Sequence, residues 1–414
     1  MKVGFCGLGK LGLPCALAIE SKGHQIFGFD VSDFVKDIIR TRKIPYREAG
    51  AQEMLTKSKI LFASLDNVVR NSDLIFIAVQ TPHDPLYEGI TRLPDSRVDF
   101  DYSYLKSAVS MVSESLDRLR EKRTVIIMST VLPTTIESQI KPLLSKYAQL
   151  CYNPFFIAMG TTIQDFLYPE FVLFGVDDPD ALEKAKKFYK TITDAPFCEM
   201  SIVNAELTKV TYNTFITMKT IFGNNLMEVA HKLGGNSDVV MGALKHATRR
   251  IISPAYMYGG MADSGPCHAR DNIALSYLAR KLNLETDLYD SVMVTREKQT
   301  EWLAKLIISE KSNMPVMILG KAYKPETNLT VGSSAVLLKN ILDEYGVQAG
   351  MFDPHVDQTE DQIKRLEFFP HLVFIGTKHE IFRDYKFAAG STVIDPFRYI
   401  SKQDNVKLVS VGNP

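Results

Sequence analysis

Net charge is the first thing this 414-residue chain lacks, because 48 Lys and Arg balance 48 Asp and Glu. Nothing overall draws it towards nucleic acid or an acidic membrane, so an anionic ligand has to be held by local groups. No basic run is interleaved with aromatic residues, and no nucleic-acid partner is expected. Cysteine is sparse: five residues, at positions 6, 15, 151, 198 and 267, form an odd set without paired spacing. That argues against a disulfide framework and for a reducing, cytoplasmic setting. No Cys/His spacing suggests zinc, so no metal is expected. No apolar stretch reaches the roughly 18–20 residues of a membrane span. The first residues run straight into a strand-like segment, and neither a secretion signal nor a membrane anchor is expected.

What is present is ordinary globular composition, 45% hydrophobic and 23% charged, in a chain long enough for two or three domains. Residues 1–30 read as strand, glycine turn, helix and strand. Lys2–Cys6 leads into Gly7-Leu8-Gly9-Lys10-Leu11-Gly12, a helix runs to about Lys22, and Gln25–Phe29 ends in Asp30. This is the context a dinucleotide-binding βαβ unit requires. Gly7 allows the tight turn, Gly9 lets a pyrophosphate approach backbone N–H groups beside Leu11, and Gly12 lets helix and strand pack closely. Asp30 can accept from the adenosine ribose hydroxyls and would repel a 2′-phosphate, so the expected cofactor is NAD.

Apolar runs at Leu74–Val79, Thr124–Met128 and Leu150–Tyr152, separated by helical periodicity, predict a parallel doubly wound sheet. Two strand ends carry polar residues, Thr81-Pro82 and Ser129-Thr130-Val131-Leu132-Pro133. Ligands of open α/β sheets bind beyond the carboxyl ends of the strands, which puts both loops beside the nicotinamide. Thr81 and Thr130 read either as contacts to cofactor or substrate or as turn hydroxyls.

From about Ile202 to Lys232 the sequence predicts one long proline-free helix, the spine of a helical domain and a candidate dimer surface. Lys209 and Asn213 lie one turn apart near its start, so an ammonium and an amide can face one reacting hydroxyl. A second α/β half begins after about Glu310, with strands at Pro315–Leu319, Ala349–Phe352, Leu372–Ile375 and Thr392–Ile394 and a helix at Ser333–Tyr345. It lacks GxGxxG, which suits a different, phosphorylated ligand, and Lys324 is its obvious cation. The expected fold is thus α/β: two Rossmann-like doubly wound domains, 1–200 and 309–414, joined by a central helical domain, 201–308. Between them, Gly259-Gly260-Met261-Ala262-Asp263-Ser264-Gly265-Pro266-Cys267 precedes Asp271 by one helical turn. A helix start lowers a thiol pKa, making Cys267 a candidate nucleophile, while a free cysteine alone reads equally as a small buried hydrophobe.

Taken together these segments resemble the UDP-glucose/GDP-mannose dehydrogenases. The motifs are Gly7-x-Gly9-x-x-Gly12-Leu13-Pro14 with Asp30; Val79-Gln80-Thr81-Pro82; Ser129-Thr130-Val131; Asn153-Pro154; Glu206-Leu207-x-Lys209-x-x-x-Asn213; Cys267-x-x-x-Asp271; and Gly320-x-Ala322-Tyr323-Lys324-Pro325. The resemblance spans nearly the whole chain. It implies two successive oxidations by NAD at C6 of a nucleotide sugar, with a UDP-hexose favoured, giving a uronic acid. Asp271 acting through water would take the hydroxyl proton, Lys209 and Asn213 would stabilise oxyanion character, and Thr130 would hold a catalytic water. Cys267 would capture the aldehyde as a thiohemiacetal that goes on to a thioester. Gly260 and Lys324 would contact substrate, and Arg250, beside Arg249, would reach a neighbouring subunit's sugar site in a homodimer or larger assembly.

Three positions depart from that pattern. Phe155 and Met159 stand where relatives resembling UDP-glucose dehydrogenase carry glutamates, the first linked to thioester hydrolysis. Val331 stands where the family has an arginine. A two-electron sugar-nucleotide or hydroxyacid dehydrogenase, and an impaired binding protein, are the competing readings.

Overall fold

A computed structural model of the chain describes residues 1–82, 98–253, 259–261, 272, 276, 278–359 and 361–412. The chain divides into two compact units, Met1–Met218 and Lys219–Pro414.

The first unit is built on eight strands: β1 (Lys2–Cys6), β2 (Gln25–Phe29), β3 (Leu61–Phe62), β4 (Leu74–Ile77), β5 (Arg123–Ile127), β6 (Ala148–Tyr152), β7 (Val172–Gly175) and β8 (Phe197–Met200). Their order is β3-β2-β1-β4-β5-β6-β7-β8. β4 is buried along its whole length because helices cover both faces, which is why it reads as one apolar run. On one face Leu13, Ala16 and Leu17 of the helix Gly12–Ser21 share a core with Phe76, Phe174 and Phe188. On the other, Val109, Val112 and Leu116 of the helix Ser103–Leu119 pack with Ile75, Ile77 and Val125. The strand order reverses between β1 and β4, so the loops after them flank a crevice at the carboxyl edge.

The sheet is not wholly parallel, in contrast to the sequence expectation: β6 and β7 pair antiparallel through Tyr152 and Gly175. Between them lies only the six-residue helix Thr162–Leu167, roughly 9 Å long at 1.5 Å per residue. That does not carry the chain back along the sheet, and β7 is entered from beyond the carboxyl end of β6. The helix Ile202–Leu233 follows β8 without a break. Its first turns sit on the sheet, where Gly175 leaves room for Ala205; a Cβ on Gly175 would lie 2.6 Å from the Ala205 methyl.

The second unit holds β9 (Val316–Leu319), β10 (Ala349–Phe352), β11 (Leu372–Ile375), β12 (Thr392–Asp395) and β13 (Lys407–Ser410), ordered β10-β9-β11-β12-β13 and all parallel. Leu303, Ala304 and Ile307 of the helix Leu288–Glu310 pack with Leu338 and Leu342 of the helix Ser334–Glu344 over Val316 and Ile318. Two Rossmann-like sheets and a long intervening helix are thus the observed architecture. Among the described residues no helix is long and apolar enough to cross a membrane.

Candidate active site

The crevice of the first sheet opens into a cavity of about 640 Å³ lined by Gly7, Leu8, Gly9, Lys10, Leu11, Asp30, Tyr46, Val79, Tyr104 and Met159, among others. Gly7 has φ +99°, and its N–H donates to the Phe29 carbonyl at 2.9 Å, which turns the chain sharply off β1. A Cβ on Gly12 would lie 2.2 Å from the Gly7 carbonyl oxygen, whereas one on Gly9 would meet nothing within 4 Å. One glycine is therefore needed for packing and the other leaves backbone open to a ligand. The nearly buried Asp30 carboxylate accepts from Leu8 N–H at 2.7 Å and from Ser32 N–H at 2.8 Å, tying both turns of the crevice together. These residues fit a dinucleotide: backbone N–H groups, a helix start and an open glycine converge where a diphosphate would lie.

At the next strand ends, the Thr81 hydroxyl donates to the Thr130 carbonyl at 2.7 Å and the Ser129 hydroxyl donates to the Val79 carbonyl at 2.6 Å. Thr81 is thus engaged as a turn hydroxyl that joins its loop, continuing through Pro82, to the Thr130 loop. The buried Glu206 accepts from Thr134 N–H (2.7 Å) and Ile136 N–H (2.8 Å), fixing the loop beyond Thr130 to the long helix. Burial raises its pKa, with those two backbone donors opposing.

One turn along, Lys209 is 7% exposed. Its Nζ donates to the Phe155 carbonyl at 2.6 Å and lies 4.9 Å from the centroid of the Phe156 ring. Burial lowers its pKa from the ordinary 10.5. Asn213 lines a second cavity of about 480 Å³ with Phe156, Ile157, Asp165, Tyr212 and Ile216. The Phe155 ring turns into the core, 5.0 Å from the Phe166 ring centroid and 6.3 Å from that of Tyr189. Asn153 donates to the Leu173 carbonyl (2.7 Å) and accepts from the Tyr189 hydroxyl (2.5 Å), so the Asn-Pro pair is part of the scaffold.

In the second unit Lys324 is exposed, its Nζ 5.3 Å from the centroid of the Tyr323 ring. The loop that carries it is held by Asp353, fully buried, which accepts from Lys321 N–H (2.7 Å), Ala322 N–H (2.8 Å) and His355 N–H (2.9 Å). Glu326 N–H donates to His379 Nδ1 at 3.1 Å, which leaves the His379 Nε2 proton for Asp353 at 3.0 Å. Burial alone would raise the Asp353 pKa, but His379 and the backbone donors outweigh it and hold the carboxyl well below the usual carboxylate range. Gly260 abuts Phe397, since a Cβ there would lie 2.9 Å from the ring, and the Gly259 carbonyl accepts from Arg398 at 2.5 Å. Arg250 lies exposed in a turn after the helix Ser237–Leu244, and Val331 is exposed. Cys267 and Asp271 lie outside the described residues.

Residues 1–193 match the NAD binding domain of the UDP-glucose/GDP-mannose dehydrogenase family, and residues 203–297 match its central domain. The chain belongs to that family. Its relatives include a GDP-mannose 6-dehydrogenase of Pseudomonas aeruginosa, 28% identical over 86% of this chain and 82% of the relative. A UDP-glucose 6-dehydrogenase of Rickettsia conorii is 24% identical over 99% of this chain and 98% of the relative. The same fold is seen in a ternary complex of GDP-mannose dehydrogenase from Pseudomonas aeruginosa, with a TM-score of 0.88 and 24% identity over 99% of this chain and 100% of that one. The family is one of NAD-dependent nucleotide-sugar 6-dehydrogenases, and NAD is the cofactor of this member.

For the cofactor the sequence points to Gly7, Gly9, Leu11, Gly12, Asp30, Thr81, Pro82 and Thr130; the structure gathers Gly7, Gly9, Leu11 and Asp30 around one cavity, with Gly12 packed behind the turn, while Thr81, Pro82 and Thr130 are not among the residues that line it. Sequence reasoning misses Lys10, Tyr46, Phe156 and the Phe155 carbonyl. Lys10 is visible inside the glycine motif. The Phe155 contact is made by backbone, so its side chain gives no signal.

Proposed function

We propose that the chain oxidises the C6 hydroxymethyl group of a nucleotide sugar to the uronic acid through covalent capture on Cys267. The observation that carries this reading is Lys209: a buried ammonium with, among the described residues, a single hydrogen-bond acceptor, one turn from the cavity-lining Asn213. Desolvated donors aimed at a reacting oxygen suit a developing oxyanion.

In this reading NAD, held by Gly7, Gly9, Leu11 and Asp30, supplies the hydride acceptor at each oxidation. Asp271 takes the hydroxyl proton through a water, while Lys209 and Asn213 donate to the oxygen as its charge grows. The Cys267 thiolate then adds to the aldehyde carbon, giving a thiohemiacetal whose oxyanion faces the same two donors. Oxidation of that adduct leaves a thioester, and water positioned by Thr130 cleaves it to the acid and the free thiol. Arg250, Gly260 and Lys324 are assigned to the sugar nucleotide, with Arg250 serving the site of a second copy. The domain limits that go with these roles are 1–200, 201–308 and 309–414. The UDP-hexose expected from the sequence and the GDP-mannose named for the 28% identical relative are both candidate substrates.

One observation favours a second reading, a two-electron oxidation that ends at the aldehyde level, as free aldehyde or as the thiohemiacetal. The loop from Phe155 to Gly160 offers no carboxylate, and the Phe155 ring is committed to the core. Assaying a panel of UDP- and GDP-hexoses for NADH formed per sugar consumed, with product mass, separates the readings. Two equivalents and a uronic acid support the four-electron reaction. One equivalent and an aldehyde sink it, and no NADH from any sugar sinks both.

A further inference from the structure

Lys10 lies between Gly9 and Gly12, where the chain turns from β1 into the helix Gly12–Ser21. It is exposed and lines the cavity of about 640 Å³ with Gly7, Gly9 and Leu11. Among the described lining residues it is the one cation, and Asp30 is the one carboxylate. Among the described residues no ion pair joins it to Asp30, whose two oxygens accept from the backbone N–H groups of Leu8 and Ser32. The cavity wall therefore carries an ammonium with no ion-pair partner among the described residues, beside Gly9, whose Cβ position is open space.

We propose that Lys10 binds the diphosphate of the dinucleotide, adding a movable positive charge to the fixed backbone donors of the turn. The chemistry favours this placement. A dinucleotide diphosphate carries two negative charges, and the chain as a whole supplies no positive field to draw it in. A lysine acts as a point charge that can follow a phosphate through small rotations, and a nearby helix start adds to the same potential. The inference rests on the NAD site described above and extends it to a side chain that the glycine pattern does not specify.

The test uses the full chain and direct binding, by calorimetry or protein fluorescence, of NAD and adenosine over a range of roughly 50–300 mM salt. Lys10→Met is expected to raise the Kd for NAD about five- to tenfold, flatten its salt dependence, and leave adenosine binding within about twofold. Lys10→Arg is expected to recover most of the NAD affinity. If Lys10→Met binds NAD with wild-type affinity and wild-type salt dependence, Lys10 does not touch the diphosphate. If adenosine affinity falls as far as that of NAD, the substitution has damaged the cavity generally, and the proposal fails in that case too. A wild-type protein that binds neither ligand overturns the NAD site itself, which distinguishes that failure from failure of the Lys10 assignment.

Discussion

The Lys209 ammonium donates to the carbonyl oxygen of Phe155 across 54 residues of sequence, at 2.6 Å. A backbone carbonyl satisfies the ammonium without neutralising it, so the full charge stays available to a reacting oxygen. Lys209→Met is expected to lower the rate of the first oxidation by about a hundredfold or more, the scale of losing an oxyanion donor, while NAD affinity measured by titration is unchanged. Equal loss of NAD binding would place Lys209 in the scaffold instead.

In the proposed reaction, charge at Lys209 also sets a pH limit. Burial lowers its pKa from 10.5, so the ammonium loses its proton at a lower pH than an exposed lysine. Because the cation is the active form in this reading, the rate falls as pH rises through that lowered pKa. Lys209→Arg, which stays protonated, is expected to remove the alkaline limb even where its rate is low throughout. A rate that climbs with pH through this range would make Lys209 a base.

Cys267→Ser tests the covalent step. Serine can still add to a carbonyl but is a far weaker nucleophile without a base, so NADH per sugar is expected to fall from two towards one, with aldehyde in the product. Full acid formation by this variant would remove Cys267 from the chemistry.

Gly12→Ala is expected to destabilise the first unit. A Cβ 2.2 Å from the Gly7 oxygen forces the helix away from the turn. The cost is roughly 1–3 kcal/mol, the usual range for overpacking, and NAD affinity falls with it. Thermal unfolding and NAD titration of the same sample read both effects.

Asp353 makes stability depend on acid. Its folded pKa is held below the ordinary 3.8, so the folded protein binds fewer protons than the unfolded chain as pH drops through that value. The stabilisation is complete above about pH 5 and is lost progressively below about pH 4. Asp353→Asn is expected to cost about 1–3 kcal/mol at neutral pH, from disrupted hydrogen bonds to buried donors. It should also weaken the acid dependence of unfolding, measured by denaturant titration between about pH 3 and pH 7.

Legibility followed burial and sequence distance. β1, β4 and β11 were plain because helices on both faces make them continuous apolar runs. β3 is two residues long, and β8 and β13 are half-exposed edge strands, so none carries such a run. The cofactor turn could be read because Gly7, Gly9, Gly12 and Asp30 act within one local unit. The Lys209 surroundings could not, since they depend on a carbonyl, on Phe156 packing and on the Glu206 carboxylate reaching Thr134 and Ile136. The Asp353 and His379 pair was equally hidden, its members lying 26 residues apart in separate loops.

The two sheets share one stitch. Gly320, with φ +102°, donates to the Phe352 carbonyl at 2.7 Å as Gly7, with φ +99°, donates to that of Phe29 at 2.9 Å. Asp353 then clasps the turn after β9 as Asp30 clasps the turn after β1. Beyond the turn the copies diverge: a helix begins at Gly12 in one, but only at Ser334 in the other, after a loop pinned by a histidine. The first knot borders a cavity, and the second is drawn tight by His379 between Glu326 and Asp353. A single structural device thus serves as a socket at one end of the chain and as a rivet at the other.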